Sequence, residues 1–384
     1  MLSETQLRAI VVLIEKGEDP TILSSRRPIS LLCVDVKIIA KLIAFRLKDV
    51  IEKCISKNQF CTPARKIIEC NNTMRDMLYY ANDNNTHGAL INVDWSKAFD
   101  SIEHDLLFKI MSKMGFCTNL INWIKLLYRG AVSSCIINGF MSRWFNIERG
   151  VRQGCPLSMI LFVIFQEPLY RAIECSEKIK PIELPCKSQK ILGFADDTSF
   201  IVADDSSICE SFIILERFES ASGISLNKNK TKLMGIGPWK NRLQWPVDGI
   251  QIVQENIRIL GIHYNNNYEQ GLSISWSNII EAVKIKVNML AFRKFNIYQK
   301  AIIINCLVLS KVWYVSHTYP LSYEHAKLLN SIIFPYIWNS KINPLKRDVL
   351  YNKRDDGGIN ILNVFCKAKS IICKFIFMVV LCLW

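Results

Sequence analysis

The stretch "GFADDTSF", residues 193–200, places two carboxylates side by side, Asp196 and Asp197, among residues that otherwise resemble a buried strand. A buried carboxylate without a partner is costly, and two adjacent carboxylates repel each other. The pair therefore lies either at the solvated tip of a hairpin or against a strong positive charge. The longer segment "KILGFADDTSFIVA", residues 190–203, predicts a hairpin with the two acids at its tip.

A third acid, Asp94, closes the apolar strand "LINVD", residues 90–94. Mg²⁺ prefers carboxylate oxygens, completed by water and substrate phosphates. Two such ions about 3.5–4 Å apart promote phosphoryl transfer, and their charge would offset the repulsion between Asp196 and Asp197. An Asp-Asp pair is also common in a solvated turn that binds nothing. The Asp196–Asp197 pair predicts a metal site only in combination with Asp94 and the flanking sequence motifs.

The bulk composition describes a large globular chain with an anionic partner. The 384 residues are half apolar and carry a formal net charge of +14, which favours a polyanion such as nucleic acid. The 14 cysteines show no C-x-x-C pair or zinc-finger spacing, so we expect reduced thiols and an intracellular location, nucleus or cytoplasm. No secretory signal is expected at the start, and the apolar tail, residues 371–384, is too short for a membrane anchor.

The hydrophobic pattern predicts a mixed sheet with packed helices, followed by a helical region. Residues 26–54 are predicted as a loop followed by a long amphipathic helix, whose apolar positions cluster at three-to-four spacing: Ile38, Ile39, Leu42, Ile43, Phe45 and Leu47. Asn138-Gly139 predicts a hairpin turn. The segment "IRILGIHY", residues 257–264, is predicted as one short strand, and mostly helix follows from about residue 270. The fold class predicted from this pattern is α+β.

Several ordered motifs resemble the central motifs of reverse transcriptases, most closely those of non-LTR (LINE-type) retrotransposons. They are "VDWSKAFDSIEHDLL" (93–107), "RGVRQGCPLSMILFVIFQEPL" (149–169) and "FADD" (194–197). "RRPISLLCVDVKIIAKLIAFRL" (26–47) resembles a finger motif of that family, "ASGISLNKNKTKLM" (221–234) the motif after the acid pair, and "ILGIHY" (259–264) the primer-grip strand. "INCLVLSKVWYV" (304–315) and "DDGGINILNV" (355–364) resemble the region that follows the polymerase core.

The resemblance implies a right-hand polymerase with fingers, a palm built on a mixed or antiparallel sheet, and a helical thumb-like region. The corresponding ranges are 1–88 for N-terminally incomplete fingers, 89–270 for the palm and 271–384 for the thumb and post-polymerase region. The implied activity is that of an RNA-directed DNA polymerase, a nucleotidyltransferase that adds dNTPs to a primer 3′-hydroxyl. The implied partners are an RNA template and a DNA primer, with no membrane. No endonuclease domain or zinc knuckle is recognisable in the sequence.

The resemblance also assigns roles to individual residues. Asp94, Asp196 and Asp197 would be catalytic and would hold two Mg²⁺ ions, with Mn²⁺ as a substitute and with the backbone carbonyl of Trp95 as a further ligand. Phe99 would be the aromatic gate that excludes a 2′-hydroxyl. The residues expected to contact the nucleotide further include Gln153, Gly154, Arg27, Lys16, Lys37 and Lys230, and the primer-grip positions are Leu260 and Gly261.

Ordinary structural roles compete with these assignments. Phe99 could be plain core packing, Gln153 and Gly154 a loop before Pro156, and Lys230 a solvated turn lysine. Two other functions also stay open. One is a catalytically silent, truncated remnant that only binds nucleic acid, and the other is an intron-maturase-like protein that binds structured RNA. Intact acids favour the enzyme, while the incomplete fingers favour the remnant.

Overall fold

A computed structural model describes residues 2–16, 21–22, 26–183 and 188–382. The chain divides into two compact units. The first comprises residues 1–70 and 80–254, and the second comprises residues 71–79 and 255–384. Helix α3, Ile67–Asp83, contributes to both units.

The first unit combines helices with several sheets. Its strands are β1 Arg8–Glu15, β2 Arg26–Leu32, β3 Gly88–Val93, β4 Trp95–Ser96, β5 Val132–Ile137, β6 Phe140–Met141, β7 Phe145–Asn146, β8 Ile191–Phe194, β9 Asp197–Val202, β10 Ser225–Leu226, β11 Lys232–Ile236 and β12 Gln251–Ile252. Its helices, besides α3, are α1 Glu4–Leu7, α2 Val34–Cys54, α4 His104–Lys113, α5 Thr118–Tyr128, α6 Ser158–Cys175 and α7 Asp205–Ser222, with 3₁₀ turns at Ala98–Asp100 and Gly237–Trp239.

The central sheet of this unit has the strand order β12-β11-β3-β9-β8. The pairs β11–β3, β3–β9 and β9–β8 are antiparallel and the pair β12–β11 is parallel, so the sheet is mixed as predicted. The predicted hairpin at the acid pair is confirmed, because β8 and β9 are joined by the two residues Ala195 and Asp196. The apolar helix α6 and the strands of this sheet contribute to one buried core.

A second sheet has the order β2-β1-β5-β6, with β7 also paired to β5. The turn predicted at Asn138-Gly139 is confirmed, since both residues have positive φ between β5 and β6. The loop predicted at the start of residues 26–54 is wrong, because residues 26–32 form β2, antiparallel to β1. Pro28 obscured this strand in the sequence, but β2 lies at the edge of its sheet, where a residue without an N–H is tolerated.

Helix α2 follows β2 directly and confirms the long helix predicted there. Its buried face consists of Val36, Ala40, Ile43, Leu47 and Ile51. Of the apolar positions predicted to cluster on this helix, Ile43 and Leu47 are buried, whereas Ile38, Leu42 and Phe45 are 62%, 54% and 74% exposed. The helix carries apolar residues on two sides, so spacing alone could not decide which side is buried.

The second unit is largely helical. Its hairpin comprises β13 Asn256–Ile259 and β14 Ile262–Asn265, and its helices are α8 Tyr268–Ala291, α9 Ile297–Ile303, α10 Leu309–Ser316, α11 Tyr323–Trp338, α12 Arg347–Tyr351 and α13 Val364–Cys382, with a π-helical turn at Ile304–Val308. The apolar helix α13 packs against α10 and α11. None of the helices in the described part of the chain is long and apolar enough to cross a membrane.

The single strand predicted for residues 257–264 is wrong in its geometry. The segment is a hairpin whose register pairs Ile259 with Ile262, leaving Leu260 and Gly261 as the turn. Both turn residues have positive φ, 49° and 81°. Leucine rarely adopts this conformation, so an apolar sequence gave no turn signal at this position.

Candidate active site

The three acids predicted to act together lie at neighbouring strand ends of the central sheet. β3 pairs with β9 so that Val93 lies opposite Thr198. Extending this antiparallel register by one residue places Asp94 opposite Asp197. Asp196 directly precedes Asp197 in the turn between β8 and β9. The sheet therefore brings all three carboxylates to one edge.

The carboxylates influence one another electrostatically. Loss of hydration, with repulsion from Asp196 and Asp94, raises the pKa of Asp197 to about 6. Loss of hydration also raises the pKa of Asp196 above its usual value. Asp196 and Asp197 are nevertheless both exposed residues. Negative charge is thus concentrated where a cation could still reach it.

Two predicted basic residues lie near these acids. Lys16 and Arg27 partly oppose the rise in the pKa of Asp196, and Lys16 does the same for Asp197. Lys16 directly follows β1, and Arg27 lies on β2 opposite Ile14, so the pairing of β1 with β2 brings both residues to the same end of these two strands. Both side chains are exposed. They are available to an anionic ligand bound beside the acids.

Two other predicted lysines are placed differently. Lys37 lies in the first turn of α2, and Lys230 lies in the turn between β10 and β11. Neither side chain forms a salt bridge or hydrogen bond with the three acids in the described part of the chain. The Lys230 turn is nevertheless linked to the acid edge, because the N–H of Asn227 donates a hydrogen bond to the carbonyl of Asp94 at 2.8 Å.

The chemistry of the acids fits a divalent cation that is only partly ligated by protein. Among the described residues, no group of three or more His, Cys, Asp or Glu side chains is arranged so that it could hold a metal ion. Mg²⁺ usually keeps several waters and takes one or two carboxylates plus substrate phosphates, so an enclosed cage is not required. Loss of hydration raises the pKa values of Asp196 and Asp197, and a nearby cation would favour their charged forms.

The segment after β3 is fixed by backbone contacts. The N–H of Asp94 donates to the hydroxyl of Thr231 at 3.3 Å. Trp95 pairs with Leu226 through β4 and β10, and its ring packs edge-on against Phe218 at 5.9 Å between centroids. The predicted metal-binding carbonyl of Trp95 therefore belongs to a well-anchored backbone segment.

Phe99 lies in the 3₁₀ turn that follows β4. Its ring stacks on the fully buried Phe162 of α6, with centroids 4.5 Å apart, and it remains half-buried. The residue two positions earlier, Lys97, has a φ of 48°, which turns the chain sharply at this point. One side of the Phe99 ring is thus supported by the core, as both the gate and the packing interpretations require.

Gln153 and Gly154 lie in the loop before α6. The carbonyl of Gln153 accepts a hydrogen bond from the N–H of Ser30 at 2.7 Å, and its amide donates to Asp100 at 3.4 Å. Gly154 has a φ of 104°, and a Cβ there would lie 2.9 Å from the carbonyl oxygen of Ser30. Only glycine permits this close approach to β2 without strain. The predicted nucleotide-contacting loop is therefore fastened to the strand that carries Arg27.

In the second unit, the predicted primer-grip positions Leu260 and Gly261 form the turn of the β13–β14 hairpin. The hydroxyl of Tyr314 donates to the carbonyl of Leu260 and accepts a hydrogen bond from the amide of Asn71 at 2.9 Å. Tyr264 in turn donates to the side-chain oxygen of Asn71 at 3.1 Å. These contacts fix the turn within its own unit.

One residue at the acid turn was missed by the sequence analysis. Gln59, buried after the end of α2, hydrogen-bonds to the main chain of Ala195. A glutamine in a loop carries no chemical signal of such a contact. Only the three-dimensional structure could identify it.

Comparison with known proteins places these features in a family. The family model described as "Reverse transcriptase (RNA-dependent DNA polymerase)" matches residues 14–264, more than half of the chain. The "Transposon TX1 uncharacterized 149 kDa protein" of Xenopus laevis is 27% identical over 338 residues, 87% of this chain and 26% of that protein. The "Retrovirus-related Pol polyprotein from type-2 retrotransposable element R2DM" of Drosophila melanogaster is 29% identical over 154 residues, 38% of this chain and 14% of that protein.

A third relative, a "Retrovirus-related Pol polyprotein from type-1 retrotransposable element R2" of Popillia japonica, is 26% identical over 37% of this chain and 23% of its own length. The chain thus spans between 14% and 26% of the length of these three relatives. The predicted resemblance to the reverse transcriptases of non-LTR elements is confirmed. The predicted fold class, an α+β right-hand polymerase with a helical C-terminal region, is confirmed as well.

Proposed function

Since the chain belongs to the reverse transcriptase (RNA-dependent DNA polymerase) family, we propose that it adds deoxynucleotides to a primer 3′-hydroxyl by copying an RNA template. The observation that carries this proposal is that Asp94, Asp196 and Asp197 lie at neighbouring strand ends of one sheet, where Lys16 acts electrostatically on Asp196 and Asp197, and Arg27 on Asp196. Polymerases of this family depend on divalent metal, and three carboxylates beside two cations suit a metal–triphosphate substrate.

The proposed metal site uses the acid edge. Asp94 and Asp196 would hold both ions, Asp197 would support the site, and the carbonyl of Trp95 would complete one coordination shell. When bound, a pair of Mg²⁺ ions, or Mn²⁺ in their place, lowers the pKa of the attacking hydroxyl and neutralises charge on the departing oxygen.

The other residues bind and orient the substrate. Lys16 and Arg27, whose charges act to lower the pKa of Asp196, would bind the triphosphate, and Lys37 would extend this basic surface. Gln153 and Gly154 would contact the incoming nucleotide or template. Lys230 would donate a proton to the leaving pyrophosphate.

We further propose the family's division into fingers, residues 1–88, palm, residues 89–270, and thumb, residues 271–384. Within this division, Phe99 would select deoxyribose, and the Leu260–Gly261 turn would grip the primer. The proposed partners are an RNA template, a DNA primer and dNTPs, and the proposed location is intracellular, in the nucleus or cytoplasm. The net charge of +14 supports binding to a polyanion.

Primer extension tests the proposal. Poly-rA primed with oligo-dT, Mg²⁺ and dTTP should give extended products with the natural chain and none with Asp94→Asn. Binding of the same primer–template should weaken with salt, with a slope of about −0.7 to −0.9 in log affinity per phosphate neutralised. Salt-dependent binding without extension in Mg²⁺ or Mn²⁺ would contradict polymerase activity and identify a silent remnant. Preference for one structured RNA without extension would instead identify a maturase-like protein.

A further inference from the structure

The segment that carries Gln59 runs along the open edge of the central sheet. The N–H of Phe60 donates to the carbonyl of Gly193 at 2.7 Å, and the N–H of Gly193 donates to the carbonyl of Asn58 at 2.9 Å. Gly193 belongs to β8, the edge strand that leads into the acid turn. These two bonds bring Gln59 alongside the turn, where it is only 1% exposed.

The side-chain amide of Gln59 contacts both main-chain groups of Ala195. Its oxygen accepts from the N–H of Ala195 at 3.1 Å and from the N–H of Cys61 at 2.9 Å. Its nitrogen donates to the hydroxyl of Tyr170 at 3.1 Å and, at 3.4 Å, to the carbonyl of Ala195. The two N–H donors around the oxygen fix the orientation of the amide.

Ala195 needs this support because of its backbone conformation. Its φ is 56°, in the left-handed region, where a residue with a Cβ costs about 1–2 kcal/mol. Ala195 is also buried, and buried main-chain polar groups need hydrogen-bond partners. The Gln59 amide can bond to the N–H and carbonyl of Ala195 only while Ala195 keeps this conformation. The conformation of Ala195 in turn determines the direction of the next residue, Asp196.

The Gln59 segment is itself held by charged groups. The guanidinium of Arg65 donates to the carbonyl of Gln59 at 2.7 Å and forms an ion pair with Glu52 at 3.2 Å. The N–H of Ser56 donates to the carboxylate of Glu167 on α6 at 2.9 Å. The segment is therefore fastened to both α2 and α6, and it gives the amide a rigid base.

We propose that Gln59 is a positioning residue that sets the geometry of the acid turn by holding Ala195 in its left-handed conformation. The effect of Gln59 on catalysis rests on the proposed polymerase function, whereas its effect on the turn does not depend on activity. Gln59 touches neither metal nor nucleotide in this proposal, and it acts only through the main chain of residue 195.

The test compares Gln59→Met with Gln189→Met. Methionine matches glutamine in length but offers no amide hydrogen bonds. Gln189 is a buried glutamine of the same unit, and its side-chain oxygen has no hydrogen-bond partner among the described residues. Hydrogen exchange of the peptide covering residues 193–198 should be at least about tenfold faster in Gln59→Met than in the natural chain. In Gln189→Met it should be unchanged.

The kinetic measurement uses primer extension with the same variants. Gln59→Met should lower kcat about tenfold or more while the KM for dNTP stays within about twofold, because misplacement of a reacting group slows the chemical step. Adding Ala195→Gly to Gln59→Met should restore part of the rate, since glycine adopts positive φ without steric cost. Equal losses in both methionine variants, or unchanged exchange in Gln59→Met, would show that Gln59 only fills the core and would overturn the proposal.

If Gln59→Met does not fold, Gln59→Asn takes its place, because its amide remains polar but is one methylene too short to reach Ala195. Faster exchange of residues 193–198 in Gln59→Asn supports the proposal, and unchanged exchange overturns it. If the natural chain shows no extension at all, the proposed function fails, whereas the exchange result still decides the role of Gln59.

Discussion

Two tight turns, one in each unit, differ in how much of their structure the sequence discloses. The Ala195–Asp196 turn joins β8 to β9, and the Leu260–Gly261 turn joins β13 to β14. In the first turn Ala195 alone of the two residues has positive φ, whereas in the second both residues do. Asp196 and its neighbour Asp197 make the first turn conspicuous as chemistry, while the second continues an apolar run.

Both turns are held by a side chain from a distant part of the chain. The Gln59 amide holds Ala195, and the Tyr314 hydroxyl holds the carbonyl of Leu260. The two side chains differ in the number of main-chain groups they bind. Gln59 contacts both the N–H and the carbonyl of Ala195, while Tyr314 contacts one carbonyl. We infer that the acid turn is the more rigidly specified of the two, as expected of a turn that positions charged ligands.

Loss of one of the three carboxylates, Asp94, Asp196 or Asp197, should give the largest effect. Asp94→Asn and Asp196→Asn should lower nucleotide incorporation at least about 100-fold, and Asp197→Asn somewhat less, because each removes charge that stabilises the transition state through bound metal. The melting temperature of metal-free Asp197→Asn should hold or rise, since hydration loss and repulsion already disfavour its charge. Primer extension and thermal melting measure the two effects.

Asp248→Asn is the matched control, because Asp248 is an exposed acid of the same unit. It should change neither rate nor melting temperature. Loss of far-UV helical signal in the three site variants, in step with the loss of activity, would mean that the acids are structural.

The next effect concerns sugar selection beside the acid turn. Phe99→Val shortens a side chain that is supported by Phe162 on one side, without removing charge from Asp94 or Asp196. It should raise the rNTP/dNTP ratio of kcat/KM by about tenfold or more, because space opens for a 2′-hydroxyl. Some stability should also be lost, less than the ~3–5 kcal/mol of a fully buried Phe→Ala change, since Phe99 is half-buried. A lower melting temperature with an unchanged ratio would leave Phe99 as core packing alone.

What the sequence could predict follows the same contrast. The Asn138-Gly139 turn was predictable because Asn-Gly is the preferred pair in a two-residue hairpin turn. The acid hairpin was predictable because two adjacent carboxylates are too costly to bury within a strand. The strand β2 was missed because Pro28 and two arginines suggested a loop. Gln59 was missed because its role depends on a contact across 136 residues of sequence, which no local pattern encodes.

The site residues divide in a similar way. Lys16 and Arg27 were predicted from the motif resemblance, and the charges of both act to lower the pKa of Asp196. On α2, the spacing grouped Ile38 and Phe45 with Ile43 and Leu47, but only the latter two are buried. Periodicity identifies an amphipathic helix but cannot choose between two apolar faces.

Removing the support of the second turn should have a moderate effect. Tyr314→Phe leaves the carbonyl of Leu260 and the amide of Asn71 without this partner, which should lower the free energy of unfolding by about 1–2 kcal/mol. Tyr351→Phe is the control in the same unit, since no hydrogen bond of the Tyr351 hydroxyl is found among the described residues. Chemical denaturation measures the difference, and equal values for the two variants would show that the Tyr314 contact does not stabilise the turn.

The smallest effect on stability is expected at Leu260. Positive φ at both turn positions is the requirement of a type I′ turn, for which Asn-Gly is the preferred pair. Leu260→Asn should therefore change the free energy of unfolding by less than about 1 kcal/mol, because relief of the strained leucine offsets the loss of its partial burial.

If the Leu260 side chain grips the primer, this variant should raise the KM for primer–template and leave the KM for dNTP unchanged. Gly261→Ala is the counterpart, since a φ of 81° disfavours alanine, and it should lose stability as well as primer affinity. Primer extension and thermal melting measure these effects. If Leu260→Asn melts normally and its KM for primer–template is unchanged, Leu260 does not bind the primer. The two turns would then differ in function as well as in structure.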